Sequence, residues 1–443
     1  MGKRLLKILL LISSFIICLA VILLKPIDRS PYTSQLHWKE WKTELENTNF
    51  DLDSIGMFSA GWSKVNITPD APTPLAGYGS RIGKQFSSIA DSIYVRTIVI
   101  DNEHTKLALV SADLLIIPPQ VSKLVTLKLK DIGFTKDQVY FSATHSHNSI
   151  GGWYNSLVGY VFAGKYNHQT ELRLADAIIK SIVDADAGMH ATAITFEIDL
   201  DSLDIRNRIE NNGIEDPYIR SLHFHSDSIS AALLSYGAHP TVLSQKNLSL
   251  SRDYPGVVLD NLKNYDFSMF MAGAVGSMGT RKGKYADTVS VKEIGNSVAV
   301  HFNSLGLQTN IGNSGLIWSK KIKLPLPKPA PRVSSYFALR PWAFNWLFGR
   351  SETYIQVARI GNVLMVGLPC DFSGELVEPL EKLAASQGLK LMITSFNGGY
   401  VGYITADKHY DEHTYETYIM NWYGPNNGAY FSAVIKDILD RIK

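Results

Sequence analysis

Short apolar runs, broken by polar turns and by longer amphipathic stretches, set the pattern of this chain. "YVRTIVID", "KLALVSADLL", "QVYFSATH", "ATAITFEIDL", "AALLSYGAH", "MFMAGAV", "VLMVGLP" and "LMITSF" are rich in Val, Ile, Leu and aromatic residues. Their length and flanking turn residues predict strands buried on at least one face. Apolar positions at helical spacing predict helices over 119–133, 169–187, 291–305, 374–387 and 428–442. Strands alternating with helices imply an α/β fold: layered mixed β-sheets flanked by helices, in a single large domain. No internal repeat or low-complexity tract is legible.

The first residues follow another pattern. Lys3, Arg4 and Lys7 precede an uncharged apolar run from Ile8 to Leu24. At about 17 residues this run is at the short end of what spans a bilayer as a helix. No convincing small-x-small cleavage site precedes Lys25, so a retained signal-anchor over residues 1–25 is expected in preference to a cleaved signal. Its cationic flank belongs on the cytoplasmic side, which leaves the remainder extracytoplasmic. A polar connector is expected over 26–53 and the folded domain over 54–443. The two cysteines, Cys18 and Cys370, lie one in the apolar run and one in the domain. A disulfide between them is not expected, and a chain of this size can rely on its core.

Composition narrows the function classes. The chain has 443 residues, 45% hydrophobic, 19% charged, with a net charge of +2. Without a clustered positive field, nucleic acid is excluded as a partner, and no obligate protein partner is indicated. The segment 320–350 is proline-rich and then aromatic, with Trp342, Phe344, Trp346 and Phe348 close together. It reads either as an insertion packed on the core or as a lid or interfacial patch that accepts acyl chains.

Candidate chemistry gathers at strand exits, where α/β sheets place their sites. "VYFSATHSHNSIGGWY" ends an apolar run in His145 and His147, which share one face if the strand continues. Gly151 and Gly152 then leave an imidazole room to approach. "AALLSYGAHP" ends in His239, "VLMVGLPCDF" in Asp371, and "LMITSFNGGYVGYIT" in a glycine-flanked stretch with Tyr400 and Tyr403. Two imidazoles and a carboxylate form a common ligand set for catalytic zinc, which a tyrosine oxygen could complete. Spacing alone does not establish such a site.

In order along the chain, these segments resemble the catalytic domain of the neutral (alkaline, non-lysosomal) ceramidase family. "AGWSKVNITPDAPTPLAGYG" is similar to its opening "AG-x-x-K-x-[DN]-I-T-P … AGYG", and "THSH" to its "THTH". "IRNRIENN", "HPT" and "GLPCDF" stand where it has "NRSP"-like, "HGT"-like and "GLPGEF" elements. "GYVGYITADKHYDEHTYE…YGP" resembles its "GYVTT…EEY…HYE…GP". The resemblance implies a zinc amidase that cleaves the N-acyl bond of ceramide, or of a related N-acyl lipid, by zinc-activated water. It implies a membrane-resident, ceramide-like substrate. Carried over by position, it makes His145, His239, Asp371 and Tyr403 the Zn2+ ligands. His147 becomes the proton donor near the reacting carbonyl, and Arg208, Tyr415 and Ser277 further pocket residues. Tyr415 or His147 would stabilise the oxyanion, and Arg208 would hold a substrate hydroxyl or a carboxylate, unless it forms only a surface ion pair.

Departures from the family pattern keep other functions open. Asp371 replaces a glutamate, so Glu375, one helical turn on, is a rival ligand. "GAVGSMG" stands for "GDVSPN", with Ser277 matching the serine, and "RDYPG" stands for "GDNKG". The family's C-terminal β-sandwich is expected to be absent after the last helix. The alternatives are a zinc hydrolase of another lipid amide or ester, and an inactive lipid-binding relative.

Overall fold

The structure, a computed structural model, describes residues 2–52, 55–281, 287–302, 309–311, 315–349 and 352–442. It opens on α1 (Gly2–Leu23), whose Arg4–Leu23 portion is long and apolar enough to cross a membrane and is not buried in the protein. Such a helix is the kind that serves as a membrane anchor or a signal sequence. It runs directly into β1 (Leu24–Pro26).

The stretch expected as a polar connector holds α2 (Leu36–Asn47). This helix buries His37, Trp41 and Leu45, residues spaced by four that share one helix face. Trp41 is fully enclosed and donates from Nε1 to Asp437 at 3.0 Å. A single apolar residue per turn is too sparse to stand out in the hydropathy pattern, yet it docks the helix.

Three sheets follow, built on one plan. In the first, β2 (Ser59–Asn66), β3 (Tyr94–Asp101) and β4 (Lys106–Ala112) form an antiparallel meander. The chain then crosses through α3 (Pro119–Lys128) to β5 (Val139–Ala143), parallel to β4. After α4 (Leu157–Ala163) and α5 (His168–Ala187), the second sheet repeats the plan with β6 (Ala193–Leu200), β7 (Tyr218–His225) and β8 (Ser230–Tyr236). Here α6 (Asp253–Asn261) is the crossover to β9 (Phe267–Ala272), parallel to β8.

The third sheet comes after α7 (Asp287–His301) and begins with β10 (Ile317–Lys323). An excursion makes β11 (Phe337–Leu339), which pairs with β1, and α8 (Pro341–Phe348). The sheet resumes with β12 (Tyr354–Ile360) and β13 (Val363–Leu368). Then come β14 (Asp371–Phe372), the crossover helix α9 (Val377–Ser386), and β15 (Lys390–Ser395), parallel to β13. The chain continues through β16 (Tyr403–Ile404) to α10 (Asn427–Arg441).

The crossover strands β5, β9 and β15 each lie at an edge of their sheet, and the three edges cover one another. Ser142 Oγ donates to the Ser395 carbonyl at 2.9 Å, and Ser395 Oγ to the Gly273 carbonyl at 2.7 Å. The Tyr140 and Thr394 hydroxyls meet at 2.7 Å, and Ser111 Oγ donates to the Phe270 carbonyl at 2.6 Å. An unpaired edge is otherwise a site of non-native pairing. Mutual cover also brings the exits of these strands to one place.

The chain is a mixed α/β fold, as its pattern implied, and all eight predicted strands are present. The five predicted helices are present with shifted ends. α3 stops at Lys128 and a 3-10 turn, Leu129–Ile132, completes the expected span. α7 begins four residues before the predicted start, at Asp287, and the expected end near residue 305 lies outside the described residues. In the three sheets, β2, β7, β10 and β12 fall outside the predicted set. β7 buries Arg220, Ser221 and His223, and β12 buries Gln356, so polar letters hid these two buried strands.

Candidate active site

β5 ends at Ala143, so strand alternation does not carry His145 and His147 onto one face. The chain turns instead, with His145 in the left-handed region at φ 64°, uncommon for a residue with a Cβ. Three contacts hold it there. Thr144 N–H donates to the Ala112 carbonyl at 2.9 Å, His145 Nδ1–H donates to the Leu115 carbonyl at 2.6 Å, and Phe396 stacks on the ring at 4.1 Å.

Because Nδ1 carries the proton, His145 presents the lone pair of Nε2 inward. His239, just beyond β8, is oriented the same way by the Val275 carbonyl, 3.3 Å from its Nδ1. The Nε2 atoms of His145 and His239 are 3.0 Å apart. His147 Nε2 lies 3.0 Å from that of His239 and 3.3 Å from that of His145. His147 differs in one respect: its buried Nδ1 has no hydrogen-bond partner among the described residues. Its place is set through the backbone, where Arg81 Nη1 donates to its carbonyl at 2.6 Å, and by the Tyr78 ring at 4.9 Å. Neither Tyr78 nor Arg81 stands out in the sequence, although both lie in "AGYGSR".

The room beside His147 comes from Gly77, not from Gly151 and Gly152. A Cβ on Gly77, at φ 116°, would meet the His147 Cα at 2.7 Å, whereas one on Gly151 would meet the Ala163 carbonyl at 2.1 Å. Gly151 and Gly152 serve close backbone packing around α4.

Asp371 and Tyr403 come together because β14 and β16 pair in parallel with these two residues in register. Asp371 is fully buried, and its Oδ2 accepts from the Tyr400 hydroxyl at 2.8 Å. Its Oδ1 lies 3.2 Å from His145 Nε2 and accepts no hydrogen bond. Glu375, the rival carboxylate, turns elsewhere: it meets His409 Nε2 at 3.1 Å and Lys408 Nζ at 3.5 Å. Asp371 is the carboxylate that faces the imidazoles.

Arg208 is largely enclosed rather than superficial, with its side chain 16% exposed. It hydrogen-bonds Tyr403, and its Nη2 lies 3.3 Å from Glu416 Oε1. Ser277 is fully buried behind it: it accepts from Ser373 Oγ at 2.6 Å, and its carbonyl accepts from Arg208 N–H at 2.8 Å. Tyr415 stands in a single π-helical turn, Tyr415–Ile419, with its ring 5.9 Å from that of Tyr403.

These residues fit a divalent cation. Two Nε2 lone pairs at 3.0 Å repel each other, and with both Nδ1 protons committed neither neutral ring has a proton on Nε2 to place between them. Ligand nitrogens about 3.3–3.4 Å apart are what a tetrahedral zinc with Zn–N near 2.0–2.1 Å requires, and the Nε2 atoms of His145 and His239 stand 3.0 Å apart. A buried carboxylate oxygen without a donor is costly unless a positive charge compensates it. Burial, followed by the Arg208 charge and the neighbouring imidazoles, holds His239 well below its usual range. Burial and then Asp371 push the Tyr403 phenol well above its own. His145, His147 and His239 form a group able to hold a metal ion.

His145 and His147 line an apolar cleft with about 660 Å³ of empty space including its mouth, walled by Trp153, Phe162, Phe348, Tyr400, Met420 and Trp422. Tyr403 and Tyr415 line it as well, whereas His239, Asp371, Arg208 and Ser277 are not part of its lining. Residues 58–264 match the family model described as neutral/alkaline non-lysosomal ceramidase, N-terminal.

Over that stretch, a little under half of its length, the chain is similar to the N-terminal part of the ceramidase family.

Solved ceramidases share its fold. The neutral ceramidase from Pseudomonas aeruginosa superposes with a TM-score of 0.76 at 18% identity, over 87% of this chain and 74% of that one. A ceramidase complexed with C2 gives 0.75 at 18% identity, over 88% and 75%. No curated protein matches at the level of sequence. At 18% identity these likenesses show the fold alone.

Proposed function

We propose that the chain is a zinc-dependent amidohydrolase that cleaves the N-acyl amide of ceramide, or of a related N-acyl lipid, into a fatty acid and an amine. One observation carries this reading. Two imidazoles with their Nδ1 protons committed turn their lone pairs toward each other, and one of them, His145, meets a bare carboxylate oxygen and lines an apolar cleft. In this reading His145, His239, Asp371 and Tyr403 hold the cation.

When bound, zinc supplies a Lewis acid able to polarise a carbonyl and to lower the pKa of water from ~15.7 to about 7. His147 supplies the mobile proton: its Nδ1 is uncommitted, so Nε2 is free to carry a hydrogen and pass it to the leaving amine. Tyr415 donates to the carbonyl oxygen as charge develops there. Its phenol is protonated at neutral pH, as an ordinary tyrosine is, and desolvation and then Asp371 push its pKa further up. Arg208 and Ser277 act as positioning residues, Arg208 by fixing Tyr403 and Ser277 by fixing Arg208. The aromatic walls take the acyl chain and exclude water. α1 is retained as a signal-anchor, and the domain from residue 54 onward works on the extracytoplasmic side.

The test is a substrate panel with the full chain in detergent: N-acyl sphingoid bases beside matched esters. Fatty acid release from the amides is expected, and His147→Asn should lower turnover about 10²-fold or more with metal content unchanged. Release from esters alone would replace this reading with the ester-hydrolase one. A folded, metal-free and inactive protein would leave a lipid binder.

A further inference from the structure

α8 is apolar on two faces with different surroundings. Phe344 and Phe348, one helical turn apart, stack on each other at 4.2 Å and pack on Trp422, so this face forms the cleft wall. Trp342 and Trp346, also one turn apart, point away and are 52% and 69% exposed. A short helix with aromatics all round is at rest in water only if something else covers the second face.

The membrane-length helix is joined to this same element. β1, the continuation of α1, pairs with β11 in the register Leu24↔Leu339, Lys25↔Ala338 and Pro26↔Phe337. Arg340 closes the junction: its N–H donates to the Leu23 carbonyl at 2.7 Å, and its guanidinium donates to the Val21 carbonyl at 3.0 Å. A cation on the last carbonyls of a helix is a favourable cap. Arg340 is also the residue that precedes the first turn of α8. One residue thus ends the candidate span and begins the cleft wall. Further apolar residues are exposed nearby: Tyr336 and Phe337, the latter paired with Pro26 of β1, and Leu157 and Tyr160 on α4, whose Phe162 lines the cleft.

We propose that the outer face of α8 and the adjoining α4 rim lie in the interfacial layer of the same bilayer that α1 crosses, so that the cleft mouth opens onto lipid and takes its substrate sideways from the membrane. The occupant is a lipid surface, assigned by continuity with α1. Tryptophan is favoured at that depth, and Lys25 and Arg340 stand where α1 would leave the hydrocarbon, placed to snorkel toward headgroups. The inference rests on the amidase reading of the cleft and on α1 being retained.

The experiment reconstitutes the full chain in phosphatidylcholine vesicles containing brominated lipid. α1 contains no tryptophan, so quenching reports on the domain. The wild type should show a quenched tryptophan fraction that the Trp342→Ser/Trp346→Ser variant loses. The variant should cleave a long-chain amide held in the vesicles about tenfold more slowly, and a water-soluble short-chain amide within about twofold of the wild type. Unquenched tryptophans, equal loss on both substrates, or a membrane-bound chain found by mass spectrometry to lack α1 would overturn the proposal. If the wild type cleaves neither amide while quenching stands, the amidase reading falls and the docking surface is upheld.

Discussion

At Gly77 a single methyl group decides whether an imidazole keeps its place. The Cβ of an alanine would lie 2.7 Å from the His147 Cα and 2.8 Å from its Cγ, with a backbone at φ 116° that disfavours any side chain. Gly77→Ala should therefore displace His147 while His145, His239 and Asp371 keep their partners. The expected outcome is a fall in turnover on the order of 10²-fold with metal content retained, read by steady-state kinetics beside metal analysis. Normal turnover would show that His147 does not need this position. Residue types at strand exits make His145, His239 and Asp371 legible from the letters alone, and the family resemblance supplies their roles. The groups that aim them are not legible. The Leu115 and Val275 carbonyls are backbone atoms with no letter of their own, and Tyr400 and Arg81 contribute through contacts formed only on folding. Gly151 and Gly152 mislead for a related reason: sequence shows where a side chain is missing but not which neighbour uses the space.

Among the elements, α2 shows how little pattern a docked helix needs. Two of its three buried residues meet α10: Trp41 donates to Asp437, and the His37 ring meets the Tyr430 ring edge-on at 4.6 Å. Burial lowers the His37 pKa from 6.5 to about 4. The folded state thus prefers the neutral ring, and this stabilisation is present above about pH 6.5 and is lost as pH falls toward 4. α2 should loosen over that window, seen as faster amide exchange in 36–47, and His37→Phe should flatten the dependence. Equal acid sensitivity in both proteins would place the titration elsewhere. The strands and helices with dense apolar letters are predictable to within a few residues. β7 escapes because Arg220 is enclosed by Asp216 at 2.8 Å and Glu381 at 2.5 Å. A charge neutralised by neighbours brought in by the fold looks, letter by letter, like a surface charge.

Across the whole molecule the three sheets contribute to the site by the same rule, although no repeat is legible in the residues. Each sheet has one parallel pair of strands, and each pair gives one candidate ligand and the group that orients it. β5 and β4 lead to His145 and the Leu115 carbonyl, β8 and β9 to His239 and the Val275 carbonyl, β13 and β15 to Asp371 and Tyr400. A cation held there would cross-link all three sheets at the axis where their edges meet, so its binding energy would appear in global stability rather than in one loop. Ligand bound only by the folded state stabilises it by about 2.7 kcal/mol at a hundredfold excess over the dissociation constant. Chelation of the purified protein should therefore lower the unfolding midpoint by a few degrees, and zinc should restore it. His239→Ala should melt at one temperature with or without the metal. Should the stripped and zinc-loaded wild type unfold together, the three sheets would share an axis but no ion, and the cluster would have to be explained as a packed group of neutral imidazoles.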